Sequence, residues 1–103
     1  MVNWDRLSEL REEVGEDDLA EVVALFCEEV EEVLAVLGNA SPSDMPNHLH
    51  FLKGSALNIG FEAVSELCQK EEQRTNENAD AIVDIPALRA AYLTSKAELD
   101  GLI

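Results

Sequence analysis

The sequence predicts an all-α protein, an antiparallel four-helix bundle with an additional short N-terminal helix. Apolar side chains recur every three or four residues along five segments, the spacing that lines one face of a helix. Capping residues, glycine or proline separate these segments, and no stretch shows a sustained strand alternation. Because four of the segments are long enough to pack side by side, we expect a single domain over residues 1–103.

The first two helices are a short one and a long, acidic one. Asn3 can cap a first helix that runs to Val14, and the second begins at Asp17 or Asp18 and continues to Leu37. Carboxylates cover the second helix outside its apolar stripe: Glu21, Glu28, Glu29, Glu31 and Glu32. We interpret them as an ordinary solvated face, the alternative being a docking surface for a basic partner.

The third helix carries both histidines of the chain. It should begin at Asp44, tolerate Pro46 in its first turn and run to about Asn58. Its core face comprises Met45, Leu49, Leu52, Ala56 and Ile59. At about 100° per residue, His48 lies within about 60° of the centre of that face and His50 about 140° from it. We therefore interpret His48 as a side chain at the bundle's edge and His50 as exposed.

The last two helices complete the predicted bundle. Gly60 ends the third helix, and a fourth runs from Glu62 to about Asn76. Asp84 caps the fifth, with Pro86 in its first turn. The apolar side of the fifth helix comprises Leu88, Ala91, Tyr92, Leu99 and Leu102.

Composition excludes several classes of partner. Seven Lys and Arg residues against 22 Asp and Glu residues give a net charge of −15, which repels nucleic acids and anionic membranes. No apolar run approaches the roughly 20 residues of a membrane span. The lone Cys27 and Cys68 form no C-x-x-C pair, so we interpret both as reduced, buried side chains. We expect a cytoplasmic monomer.

One strip of the third helix combines features suited to chemistry. Gly54 lies one turn beyond His50 on the same strip, although glycine inside a helix costs roughly 1 kcal/mol relative to alanine. Lys53 is placed to reach an anion held on the His50 ring, while Phe51 and Leu57 flank the strip. A nucleophile, a cation and an apolar rim on one surface favour phosphoryl transfer from a docked protein.

The segment that begins at His50 resembles the signature H-x-L-K-G-S…N-[LI]-G…L-C of histidine-containing phosphotransfer (HPt) domains. It reads His50-Phe51-Leu52-Lys53-Gly54-Ser55, then Asn58-Ile59-Gly60, then Leu67-Cys68. The resemblance implies that His50 accepts a phosphoryl group from an aspartyl phosphate on a response-regulator receiver domain and passes it to another receiver. Lys53 would offset phosphate charge, and Gly54 would let the receiver approach.

The resemblance also implies a polar or acidic side chain on the fourth helix that orients the imidazole and keeps its far nitrogen protonated. Three residues are candidates by position and remain open: Gln69, Glu72 and Gln73. We expect Asn47, Phe51 and Leu57 to contribute to partner docking. The expected partners are receiver domains, with a hybrid histidine kinase as a further candidate.

The chain lacks a nucleotide site of its own. It contains no G-x-x-x-x-G-K-[ST] loop and no G-x-G, so it is not an autonomous kinase. We interpret the chain as a phosphocarrier intermediate and leave open whether it is classed as an enzyme. We expect no cofactor and no metal on this chain, because the magnesium that phosphoryl transfer needs would come from the receiver's acidic pocket. The start at Met1, close to the first helix, favours a free-standing carrier.

Two alternatives compete with this function. A metal site at His48-x-His50 is disfavoured, because residues two apart on a helix point about 200° away from each other. A non-phosphorylated adaptor or inhibitor that docks on a receiver or kinase would have nearly the same sequence. The adaptor would have no need of His50, whereas a phosphocarrier depends on it.

Overall fold

The computed structural model describes residues 2–78 and 80–101 and folds them into five α-helices. The helices are α1 (Trp4–Val14), α2 (Glu16–Leu37), α3 (Met45–Asn58), α4 (Glu62–Glu77) and α5 (Ile85–Asp100). Within the described residues the only strand-like pairing is an isolated bridge between Val2 and Phe61. The predicted all-helical class is therefore confirmed. None of the described helices is long and apolar enough to cross a membrane.

The helix ends follow the capping residues that the sequence predicts. The side chain of Asn3 accepts a backbone hydrogen bond in the first turn of α1 at 3.1 Å, and Asp84 does the same for α5 at 3.0 Å. The start predicted for α2 was one to two residues late. Gly15 has a φ of +87°, which lets the chain turn directly from α1 into α2 at Glu16.

The helices enclose one mainly aliphatic core. α3 packs against α2 and α4, α5 packs against α4 and α2, and α1 packs against α2. The fully buried side chains include Val30, Leu37, Leu49, Leu52, Ile59, Phe61, Val64, Leu88 and Leu99. Leu102, which the sequence assigns to this core, lies outside the described residues.

The two cysteines are buried free thiols, as predicted. Burial raises the pKa of Cys68 to about 12, and burial also raises the pKa of Cys27. A raised pKa keeps a thiol protonated near neutral pH.

Gly60 joins α3 to α4 and holds the N-terminal segment against that turn. Its carbonyl accepts a hydrogen bond from the Asn3 N–H at 2.6 Å, and the Asn3 amide donates to Glu62 Oε1 at 2.7 Å. Gly60 has a φ of +74°, and a Cβ there would lie 2.7 Å from the Asn3 carbonyl oxygen. Both the backbone conformation and the close approach therefore require glycine.

Candidate functional site

The two histidines of α3 occupy different environments. The side chain of His50 is 75% exposed, whereas His48 is half-buried. The predicted core face explains this difference, because Leu49 and Leu52 are completely buried on that face, whose centre is about 140° from His50. The structure thus confirms that His50 is the solvent-facing histidine.

Gly54 leaves open space next to His50. Apart from its chain neighbours and the backbone of its own helical turns, no atom of the described residues lies within 4 Å of a Cβ placed at Gly54. Its backbone is ordinary helix, so neither packing nor conformation within this chain requires glycine there, in contrast to Gly60. The free volume lies one turn along α3 from the His50 ring.

Glu72 of α4 lies between the cation and the imidazole. Lys53 Nζ is 3.2 Å from Glu72 Oε1 and donates to Oε2 at 3.4 Å. The side chains of Lys53 and Glu72 are only 22% and 18% exposed. Glu72 Oε1 is 3.8 Å from His50 Nδ1 and accepts no hydrogen bond from the described residues. Nδ1 therefore faces the carboxylate, and Nε2 is at the opposite edge of the ring.

Of the three residues proposed to orient the imidazole, the structure brings Glu72 to His50. Gln69 and Gln73 are exposed on α4, and neither hydrogen-bonds to the ring in the described part of the chain. Sequence spacing could not choose among them, because the choice depends on the rotation of α4 about its axis relative to α3. This rotation is set by tertiary packing.

A groove with a volume of about 360 Å³ runs between α2 and α3 beside His50. It is lined by Phe26, Glu29, His50, Phe51, Gly54, Ser55 and Asn58. The sequence analysis assigned Glu29 to an ordinary solvated face and gave Phe26 no functional role, so neither was expected beside His50. The sequence signals were the spacing of three between Phe26 and Glu29 on one helix and the alternative interpretation of the acidic face as a docking surface.

The residues expected to dock a partner are exposed to different extents around this groove. The Phe51 side chain lines it and is 52% exposed. Leu57 is 51% exposed, and Asn47 is exposed nearer the start of α3, but neither lines the groove. Large apolar side chains left in solvent on one side of a helix commonly mark an interaction surface.

No group of three or more His, Cys, Asp or Glu side chains among residues 2–78 and 80–101 is arranged to hold a metal ion. Within this range, Glu72 is the carboxylate that lies within 4 Å of the His50 ring nitrogens. The site thus combines an exposed imidazole with the carboxylate of Glu72 and, beyond it, the ammonium group of Lys53.

Sequence comparisons with known proteins identify the family of this chain. The chain is 30% identical over 110 aligned positions to the phosphorelay protein LuxU from two strains of Vibrio vulnificus, YJ016 and CMCP6. The alignment covers 94% of this chain and 96% of each relative. No solved structure gives a significant match. The profile of the Hpt domain matches residues 21–98, which include all of α3 and α4, and the chain belongs to the Hpt domain family.

Proposed function

We propose that His50 of this phosphorelay protein is the phosphoacceptor, taking a phosphoryl group from an aspartyl phosphate of a receiver domain and passing it to another receiver. Hpt phosphorelay proteins interact with receiver domains and kinases. The observation that carries the proposal is a 75% exposed imidazole whose Nδ1 faces Glu72. The open space at Gly54 supports it, because a docking partner can approach the ring there.

The tautomer of the ring follows from its neighbour. A carboxylate 3.8 Å from Nδ1 favours the proton on that nitrogen, so the lone pair is on Nε2. This contact is longer than a hydrogen bond and would tighten when a partner covers the ring. Glu72 is thus the residue that we assign to imidazole orientation, in preference to Gln69 and Gln73.

The transfer is a displacement at phosphorus. The Nε2 lone pair of His50 forms the N–P bond, the P–O bond to the receiver's aspartate breaks, and the aspartate leaves as a free carboxylate. The ring becomes positively charged while Nδ1 keeps its proton, and Glu72 offsets that charge. Lys53 is placed to offset the charge of the phosphoryl oxygens. The return step to a second receiver reverses these bond changes.

The proposed function also includes the docked receiver, a kinase partner, the oligomeric state and the location of the chain. The receiver supplies the magnesium. During docking, the receiver contacts Asn47, Phe51 and Leu57. A hybrid histidine kinase is a further candidate partner. The high negative charge of the chain favours a monomer, and the cytoplasmic location stays a prediction.

We also propose how the five helices are arranged. An antiparallel four-helix bundle of α2 to α5, with α1 as the additional N-terminal helix, is supported by two observations. Short connections join successive helices, and the contacts α2–α3, α3–α4, α4–α5 and α2–α5 close a ring.

The two histidines provide a matched test. The chain should be incubated with phosphorylated receiver domains and magnesium, and the bound phosphate analysed for acid lability and alkali stability. We expect His50→Gln to abolish labelling and His48→Gln to preserve it. Labelling of the His50→Gln protein at the normal level would disprove the assignment. A chain that binds receivers but is never labelled would be an adaptor instead.

A further inference from the structure

We propose that the groove between α2 and α3 selects the receiver. In this proposal it takes an apolar side chain of the receiver between Phe26 and Phe51, while Glu29 pairs with a Lys or Arg beside that side chain. The inference rests on the proposed function of His50, because it assigns the same partner to an adjoining surface. It adds α2 to the docking residues Asn47, Phe51 and Leu57 of α3, and at Glu29 it takes up the alternative interpretation of the acidic face as a docking surface for a basic partner.

The walls of the groove suit an apolar side chain. Phe26 is contributed by α2 and Phe51 by α3, and Phe51 remains 52% exposed. Gly54 and the 5% exposed Ser55 add no bulky side chain to the lining. The groove volume of about 360 Å³ is at the lower end of the range for small-ligand pockets, which is about 300 to 1,000 Å³. This volume is sufficient for one inserted side chain.

The rim carries a negative charge without a partner. Among residues 2–78 and 80–101, no Lys, Arg or His side chain forms an ion pair with Glu29. Every charged side chain of α2 is a carboxylate, so the helix offers no cation of its own. A docked protein would remove water from Glu29, which is costly unless the partner supplies an opposite charge. A cation on the receiver is therefore the complement that this groove requires.

Glu28, the next residue, provides a matched control. It lines a separate groove between α2 and α5, together with Glu31, Lys96 and Asp100. That groove contains none of the residues around His50. Reversal of charge at Glu28 thus changes net charge and helix composition as reversal at Glu29 does, but on a different face.

The experiment measures phosphoryl transfer from a labelled receiver that phosphorylates the wild-type chain, over a range of receiver concentrations. It compares wild type, Glu29→Lys, Glu29→Gln and Glu28→Lys at about 0.1 M and about 1 M NaCl, across which the Debye length falls from about 10 Å to about 3 Å. At low salt, we expect Glu29→Lys to raise the half-saturating receiver concentration about tenfold and Glu29→Gln about threefold. The limiting rate should stay within about twofold, and the difference should largely disappear at high salt.

The partner's cation is identified by charge exchange. Surface Lys and Arg residues around the receiver's phosphorylated aspartate are changed to Glu one at a time. One of these receivers should transfer to Glu29→Lys faster than to the wild-type chain. Equal effects of Glu29→Lys and Glu28→Lys, or no receiver that prefers the reversed chain, would overturn the inference. If no receiver labels even the wild-type chain, the function proposed for His50 fails instead.

Discussion

Lys53 of α3 and Glu72 of α4 form an ion pair that shares a carboxylate oxygen with the His50 site. Glu72 Oε1 is 3.2 Å from Lys53 Nζ and 3.8 Å from His50 Nδ1. The cation that the sequence assigns to phosphate is therefore already neutralised in the unphosphorylated protein. In the proposed mechanism, a phosphoryl group on Nε2 competes with Glu72 for the same ammonium group.

This competition predicts opposite effects of two substitutions. Glu72→Gln removes the charge that competes with the phosphoryl group for Lys53, so we expect the phosphohistidine lifetime to lengthen about three- to tenfold. Lys53→Ala removes the cation and should shorten the lifetime by a similar factor. Loss of acid-labile phosphate from purified phosphoprotein at neutral pH measures both. Changes in the same direction would show that the two side chains do not compete.

The space at Gly54 predicts a separation of stability from activity. Gly54→Gln should stabilise α3, by up to about 1 kcal/mol on helix propensity, while its side chain fills the approach to His50. We expect receiver-dependent labelling to fall more than about tenfold as docking is obstructed. Ala90→Gln, at an exposed position of α5, controls for a surface glutamine. Full transfer by the Gly54→Gln protein would show that the glycine does not serve access.

The spacing of residues along the sequence predicted those features of the site that depend on the geometry of a single helix. The separation of His48 from His50 and the strip shared by His50 and Gly54 follow from 100° steps along α3. Relationships between helices depend on packing and were not accessible in the same way. The choice of Glu72 and the position of Glu29 both belong to this second class.

The connection after α4 illustrates the same limit. Glu71 is 4% exposed, and Arg74 Nη1 donates to its two carboxylate oxygens at 2.8 and 2.6 Å. Arg74 Nη2 also donates to the Ile82 carbonyl oxygen at 3.2 Å. The spacing of apolar residues along the sequence does not predict a buried, ion-paired glutamate at this position. Its charge is satisfied by a side chain one turn away that also holds the loop towards α5.

Gly60 provides a test of the turn that ends α3. Gly60→Ala should destabilise the protein by about 2 to 4 kcal/mol, because alanine is strained at positive φ and its Cβ would collide with the Asn3 carbonyl. Gly54→Ala is the control and should stabilise by up to about 1 kcal/mol. Urea unfolding followed by circular dichroism gives both values. Similar effects of the two substitutions would contradict the distinction between a required and a dispensable glycine.

The buried thiols predict how stability depends on alkaline pH. Burial raises the pKa of Cys68 to about 12, whereas a thiol in the unfolded chain titrates near about 8.5. Above pH 8.5 the unfolded state releases a proton that the folded state keeps, so the free energy of unfolding falls as pH rises towards 12. The loss approaches about 1.4 kcal/mol per pH unit for one such thiol, and stability below pH 8.5 is unaffected by it.

Cys68→Ala isolates this contribution. Urea unfolding in the presence of a reducing agent, at about pH 8 and about pH 10, should show about 2 kcal/mol less loss of stability for the variant than for wild type. Because the comparison uses the change with pH, the cost of the smaller side chain cancels. Other groups that titrate at high pH, including Tyr92, whose pKa is also raised by burial, are present in both proteins. Equal losses in the two proteins would mean that the thiolate of Cys68 forms as readily in the folded core as in the unfolded chain.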